Sequence, residues 1–136
     1  MKRSLLTEAL RCAVEDDGYF FGMGRDAELA VALPELPAAW MSPPELEKSS
    51  GRAEKHDVYG VRVRLMMSRA STPDGEAAAW EILESDALAV CDAVRAAEGV
   101  RSVRNVEVVS GLKPVTVRGE VYADIEFQVE IVYCAD

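Results

Sequence analysis

Nineteen residues near the C-terminus, Val115 to Tyr133, constrain this chain more than any other stretch. Odd positions carry Val115, Val117, Gly119, Val121, Ala123, Ile125, Phe127, Val129, Ile131 and Tyr133. Even positions carry Thr116, Arg118, Glu120, Tyr122, Asp124, Glu126, Gln128 and Glu130, and an apolar residue returns only at Val132. A period of two marks a strand with one dry and one wet face, whereas a helix would scatter these side chains around its circumference. A straight strand of that length spans about 60 Å, against a diameter of about 35–40 Å for a compact domain of this size. The strand is therefore expected to bulge or bend at Gly119. A projecting arm suited to subunit assembly is the alternative.

The rest of the chain is arranged to cover that strand. Ser4 to about Asp17 reads as a helix with a stripe of Leu6, Ala9 or Leu10, Ala13 and Val14, with Ser4 as N-cap and Gly18 just beyond the end. Tyr19-Phe20-Phe21 suits a buried strand or anchor, Gly22-Met23-Gly24 a turn, and Glu28 to Leu33 a short strand. Ala38 to Met41 is a further short apolar segment. Residues 42–57 are charged, small and aperiodic, which predicts a mobile loop that either stays solvated or orders against a partner. Val58 to Met67 alternates again, with Tyr59, Val61, Val63, Leu65 and Met67 on one face and Gly60, Arg62 and Arg64 on the other. Its wet face is basic and that of the C-terminal strand is acidic, so the two strands are expected to be neighbours with opposite charges facing across them.

Thr72-Pro73 predicts the start of a long helix that ends before Gly99, with Trp80, Leu83, Ala87, Val90 or Cys91, and Val94 on its dry stripe. Within that stripe Trp80 is expected to be among the costliest residues to truncate. Val103 to Val109, a loop at 110–114 and the organising strand form a C-terminal hairpin over about 103–133. These elements give one domain, 1–136, of α+β class: a mostly antiparallel or mixed sheet, one long helix on a face and a shorter N-terminal helix.

Composition narrows the function. A net charge of −9 opposes direct nucleic-acid binding, which needs a basic footprint. No apolar run approaches the roughly 20 residues of a membrane span. The N-terminus does not read as a signal peptide. Three widely spaced cysteines and a single histidine, His56, form no metal-binding spacing, and Cys12 and Cys91 read as small core residues in a reduced, cytosolic chain. Adjacent carboxylates at Asp16-Asp17 point apart at a helix end. Asp124, Glu126 and Glu130 share a strand face, a pattern that solvated strands commonly show. No serine has a histidine partner in a nucleophilic context. The expectation is a non-enzyme without cofactor or metal, and without catalytic residues.

Several stretches carry a resemblance. They are Leu36-Pro37-Ala38-Ala39-Trp40-Met41-Ser42-Pro43-Pro44, the polar segment ending in Tyr59-Gly60-Val61-Arg62-Val63-Arg64-Leu65, the helix Trp80 to Leu88, and Thr116 to Phe127. In layout and local flavour the chain resembles the tail terminator, or tail-completion, proteins of long-tailed bacteriophages. The likeness covers most of the chain without a diagnostic motif. It implies a structural virion assembly protein: a ring, typically of six copies, that caps the tail tube and presents a joining surface to the head. The partners it implies are other copies of the chain, the major tail tube protein and the head-tail connector. The location it implies is the bacterial host cytoplasm during assembly and then the virion tail. Candidate interface residues are Glu45, Glu47, Lys48, Arg52, Lys55 and His56 in the polar segment, with Arg62, Arg64, Asp124, Glu126 and Glu130 on the open sheet face. Two other readings remain: another head-tail joining or minor tail protein, and a ligand-binding regulatory domain with a ferredoxin-like layout. The second requires a pocket between helix and sheet or at a dimer interface.

Overall fold

The computed structural model describes residues 2–68, 76–111 and 120–134. In chain order the elements are α1 (Lys2–Asp16), β1 (Phe20–Met23), α2 (Asp26–Ala32), β2 (Ala38–Met41), β3 (Glu45–Ser50), β4 (Glu54–Met67), α3 (Glu76–Arg95), β5 (Val100–Gly111) and β6 (Val121–Cys134). The described strands form a six-stranded sheet of order β1-β2-β4-β6-β5, and β3 pairs with β4 beside β2. The β1–β2 pair is parallel and every other pair is antiparallel, so the fold is α+β with a mixed sheet.

The centre of the sheet is the pair β4–β6, in unbroken register from Glu54 opposite Cys134 to Met67 opposite Val121. Alternation fixes this register, because a slip of one residue would turn Val121, Ile125, Val129 and Ile131 of β6 into water. Ala123, Ile125, Val129, Val63 and Leu65 are buried on one face. Against them lie Leu6, Leu10 and Val14 of α1 and Leu83, Ala87, Val90, Cys91 and Val94 of α3, so both helices share that face. Gly99, at φ +86, takes the chain from α3 into β5.

A second, smaller cluster lies on the other face. Leu29 of α2 packs there with Ala38, Trp40 and Met66, and Leu36 and Tyr122 border it. The Trp40 indole N–H donates to the Gly24 carbonyl at 3.0 Å, so the buried ring has no orphaned donor. Gly22 is needed for this packing, since a Cβ at that position would lie 2.6 Å from the Trp40 ring.

Six expectations are corrected. Gly22 and Met23 continue strand β1 and do not form a turn, because they pair in parallel with Trp40 and Met41. Residues 28–33 belong to a helix, not a strand: Asp26 and Glu28 occupy the first turn of α2, Leu29 is buried, and Leu33 closes the helix in the left-handed region at φ 46. Residues 42–57 are not a loop throughout. β3 and the start of β4 form a hairpin there, and β3 shows no alternation because all six of its residues are exposed at the sheet edge, where backbone pairing holds the strand. Ser4 lies inside α1, not at its cap, and Cys12 is exposed. Trp80 is only partly buried, and its indole N–H has no partner among the described residues.

The expected helix start at Thr72-Pro73 and the bend at Gly119 lie outside the described residues, as do 112–114 of the hairpin loop.

Candidate functional site: the polar sheet face

The face of the sheet opposite α1 and α3 carries the even-numbered residues of β4 and β6. The expected charge match across these strands is present in the register: Arg64 faces Asp124, and Arg62 faces Glu126. Arg64 and Asp124 form a two-pronged contact, Nε to Oδ1 at 2.7 Å and Nη2 to Oδ2 at 2.9 Å. The guanidinium also stacks 3.9 Å from the centre of the Tyr122 ring. Burial opposes the Arg64 charge, but the hydrogen bond and charge of Asp124 outweigh it and hold the group above its ordinary value.

Arg62 behaves differently. Its guanidinium turns from Glu126 toward the Ser42 hydroxyl and lies 3.6 Å from Asp26. Glu126 has no ion pair or hydrogen-bond partner among the described residues. Register alone did not reveal this, because the side chain of Arg62 can reach either β6 or the end of β2.

Near the hairpin, His56 sits between two carboxylates. Nδ1 lies 2.8 Å from Glu130 and Nε2 lies 3.1 Å from Glu54, and both contacts are donated only by the doubly protonated ring. The His56 hydrogen bond lowers the Glu130 carboxyl from its ordinary value, against a smaller opposing effect of burial, and the charges of Arg101, His56 and Arg104 act in the same direction. On the opposite face Asp57 is buried but satisfied, accepting from the Ser49 hydroxyl at 2.5 Å and the Tyr133 hydroxyl at 2.9 Å. Tyr133 titrates above its ordinary value chiefly because of that bond.

Between these paired regions lies an open groove of about 420 Å³. Its floor includes Gly60 and Gln128, and its walls carry Glu45, Glu47, Glu107 and Glu126. A line of amides crosses it: Asn105 donates to Gln128 at 2.5 Å, and Gln128 donates to Glu47 at 2.7 Å. Glu47 reaches β6 by lying over Gly60, where an added Cβ would stand 2.7 Å from its carboxylate oxygen. Asn105 is placed by a bulge in β5 and adopts φ 54, a conformation that asparagine tolerates better than most residues.

The structure thus divides the eleven sequence-derived candidates into groups. Arg64 with Asp124, and His56 with Glu130, are internal pairs. Glu45, Glu47, Arg62 and Glu126 line the groove. Lys48 and Arg52 are exposed on the hairpin and have no acidic partner among the described residues, while Lys55 donates to the Gly51 carbonyl at 2.8 Å. The sequence reading missed Asn105, Glu107 and Gln128. The alternation of Gln128 with acidic neighbours was visible, but nothing local announced the bulge that brings Asn105 and Glu107 to it.

Asp124, Glu126 and Glu130 do not converge, because the first is held by Arg64 and the last by His56. Among the described residues no group of three or more His, Cys, Asp or Glu side chains could hold a metal ion. No helix among them is long and apolar enough to cross a membrane. No protein-family model matches this chain, and no curated protein matches it.

Proposed function

We propose that this chain is a structural subunit of a phage tail terminator, which assembles as a ring on the tail tube and offers a joining surface to the head. The observation that carries this reading is the division of labour in the sheet. One face is packed under α1 and α3, while much of the other is a polar, carboxylate-lined surface with no helix over it among the described residues. A face of this kind suits a subunit that remains free in the host cytoplasm and then docks on protein neighbours. The outer edges of β3 and β5, unpaired among the described residues, add backbone groups for the same purpose.

The regulatory-domain reading has less support. The space between α3 and the sheet is filled by Leu83, Ala87, Val90 and Val94, and the groove lies on the opposite face.

The test is electron microscopy of tail tubes assembled in vitro with and without the purified chain. A density cap at one tube end, with arrested tube length, is the expected result. Tubes that grow without limit and carry no cap would remove the terminator reading. Binding to isolated heads or connectors alone would favour a different joining protein.

A further inference from the structure

We propose that the groove over Gly60 takes a short extended segment of a partner protein that carries two basic side chains four residues apart. This rests on the docking-face reading only for what carries the segment; the groove and its charge stand without it.

The sheet register builds the groove. Gly60 lies between Glu45 of β3 and Gln128 of β6, and Arg104 of β5 follows beyond Gln128. With no side chain at Gly60, the middle of this row is low. In the adjacent row Glu126 stands directly opposite Glu107. Like charges facing each other across two strands oppose the fold. Four carboxylates, Glu45, Glu47, Glu107 and Glu126, and one guanidinium, Arg62, line the space, a net charge of −3.

The cations nearest the groove leave that charge in place. Arg62 turns to Ser42 and Asp26, and Arg104 lies 3.9 Å from Glu130. Lys48 sits one row away, opposite Val58, and touches no groove carboxylate among the described residues. Glu45, Glu107 and Glu126 have no hydrogen-bond or ion-pair partner among the described residues, and Glu47 accepts only from the neutral Gln128 amide.

The spacing of the carboxylates selects the occupant. No group of three or more acidic, histidine or cysteine side chains among the described residues can hold a metal ion, so one compact cation does not satisfy the groove. Glu45 and Glu47 stand on β3, and Glu107 and Glu126 on β5 and β6. At about 4.8 Å per strand the two sets are about 12 Å apart. In an extended chain, residues i and i+4 share a face and are about 13 Å apart. A lysine or arginine at each of these positions therefore reaches one set. Between them lie Asn105 and Gln128, joined by one hydrogen bond. Each amide keeps a further donor and acceptor for a peptide backbone, whereas a polyamine offers donors alone.

The probe is the capped peptide Lys-Thr-Val-Thr-Lys, titrated into the full chain by calorimetry and NMR at low and physiological salt. Its counterpart with glutamate at both ends and spermidine are the comparison ligands. One peptide is expected to bind per chain with Kd below about 1 mM at low salt, and more weakly at physiological salt. It should shift the Gly60 backbone amide and the side-chain amides of Asn105 and Gln128. Glu107→Gln with Glu126→Gln, and Glu45→Gln with Glu47→Gln, should each weaken binding more than about tenfold. Glu81→Gln with Glu98→Gln removes the same charge from exposed positions on and after α3 and should change it less than about twofold. Glu107→Gln with Glu126→Gln should also raise the thermal midpoint of the free chain, since it removes facing like charges. A fall would make those carboxylates structural and overturn the proposal. So would absence of peptide binding at low salt, equal binding of the acidic peptide, or equal weakening by the α3 pair. Spermidine bound as tightly as the peptide, with the same shifts, would assign the groove to a small polyamine and overturn the protein occupant. A chain that caps tail tubes without binding the peptide would overturn this occupant and leave the tail reading standing. Groove-specific peptide binding by a chain that caps no tubes would do the reverse.

Discussion

Breaking the Arg64–Asp124 pair should destabilise the fold in a manner that a double-mutant cycle can isolate. Two charge-assisted hydrogen bonds join the groups, with side-chain exposures of 19% and 25%. Solvent therefore screens the pair less than it screens a surface ion pair, which contributes about 0.2–1 kcal/mol, but more than it would a fully buried one, where removal of one partner costs about 3–5 kcal/mol. An intermediate coupling of about 1.5 kcal/mol follows from these bounds. Arg64→Met should cost more than the coupling alone, about 2–3 kcal/mol, because it also removes the guanidinium from the Tyr122 face. Asp124→Ala keeps that stacking but leaves a half-buried cation without its carboxylate, and should cost about 2 kcal/mol.

Urea unfolding of the wild type, both single variants and the double variant reads these values. With a slope of about 2 kcal/mol/M for a domain of this size, each single change should lower the midpoint by about 1 M. The double variant should lose clearly less than the sum of the two. A coupling below about 0.3 kcal/mol, the ordinary error of additivity, would refute the argument and show the contact to be a surface pair.

The two tryptophans should separate sharply: Trp40→Ala is expected to cost about 3–5 kcal/mol, while Trp80→Phe should change stability by less than about 1 kcal/mol because it removes a buried N–H that has no partner among the described residues; thermal melts of both variants decide. Tyr19→Phe, which deletes a 2.6 Å hydrogen bond to Asp86 across to α3, should cost about 1–2 kcal/mol in the same assay. Glu130 has a lowered carboxyl value in the folded state, so its contribution is present above the ordinary carboxylate range and is lost as pH falls through the lowered value. His56→Ala should reduce that acid-range dependence and move the Glu130 titration back upward by NMR, and an unmoved titration would exclude His56 as its cause. In the native protein a thiol reagent should label Cys12 and Cys134 and spare Cys91, which is buried and has its thiol pushed up to about 11; labelling of all three before unfolding would contradict the core packing.

The central pair was legible because burial on one face writes a period of two into both strands. The same rule made the β4–β6 partnership readable from charge, and Arg64 with Asp124 bears it out. Edge elements obey no such rule. β3 is exposed at all six positions, so the forces that make it a strand lie in backbone hydrogen bonds to β4, which leave no trace in side-chain pattern. α2 was misread because seven residues with one buried side chain carry too little periodicity to separate helix from strand. Trp80 was overvalued for a related reason: the stripe placed it correctly on the core side of α3, but stripe position does not tell how deeply a residue at the end of a helix is covered.

The groove shows why a site on a sheet is harder to read than the sheet itself. Its residues come from β3, β4, β5 and β6, and each acquires meaning only through another. Gly60 matters because Glu47 lies over it, Glu47 because Gln128 binds it, and Gln128 because a bulge brings Asn105 alongside. Gly60→Ala therefore probes the assembly of the whole line. The added methyl must displace the Glu47 carboxylate, a movable side-chain end rather than backbone, so stability should fall by only about 1 kcal/mol. The Gln128 amide would lose its acceptor at Glu47, and its NMR side-chain resonances should shift and exchange faster with water. A large loss of stability with unchanged Gln128 resonances would mean that Gly60 serves the backbone, not the groove.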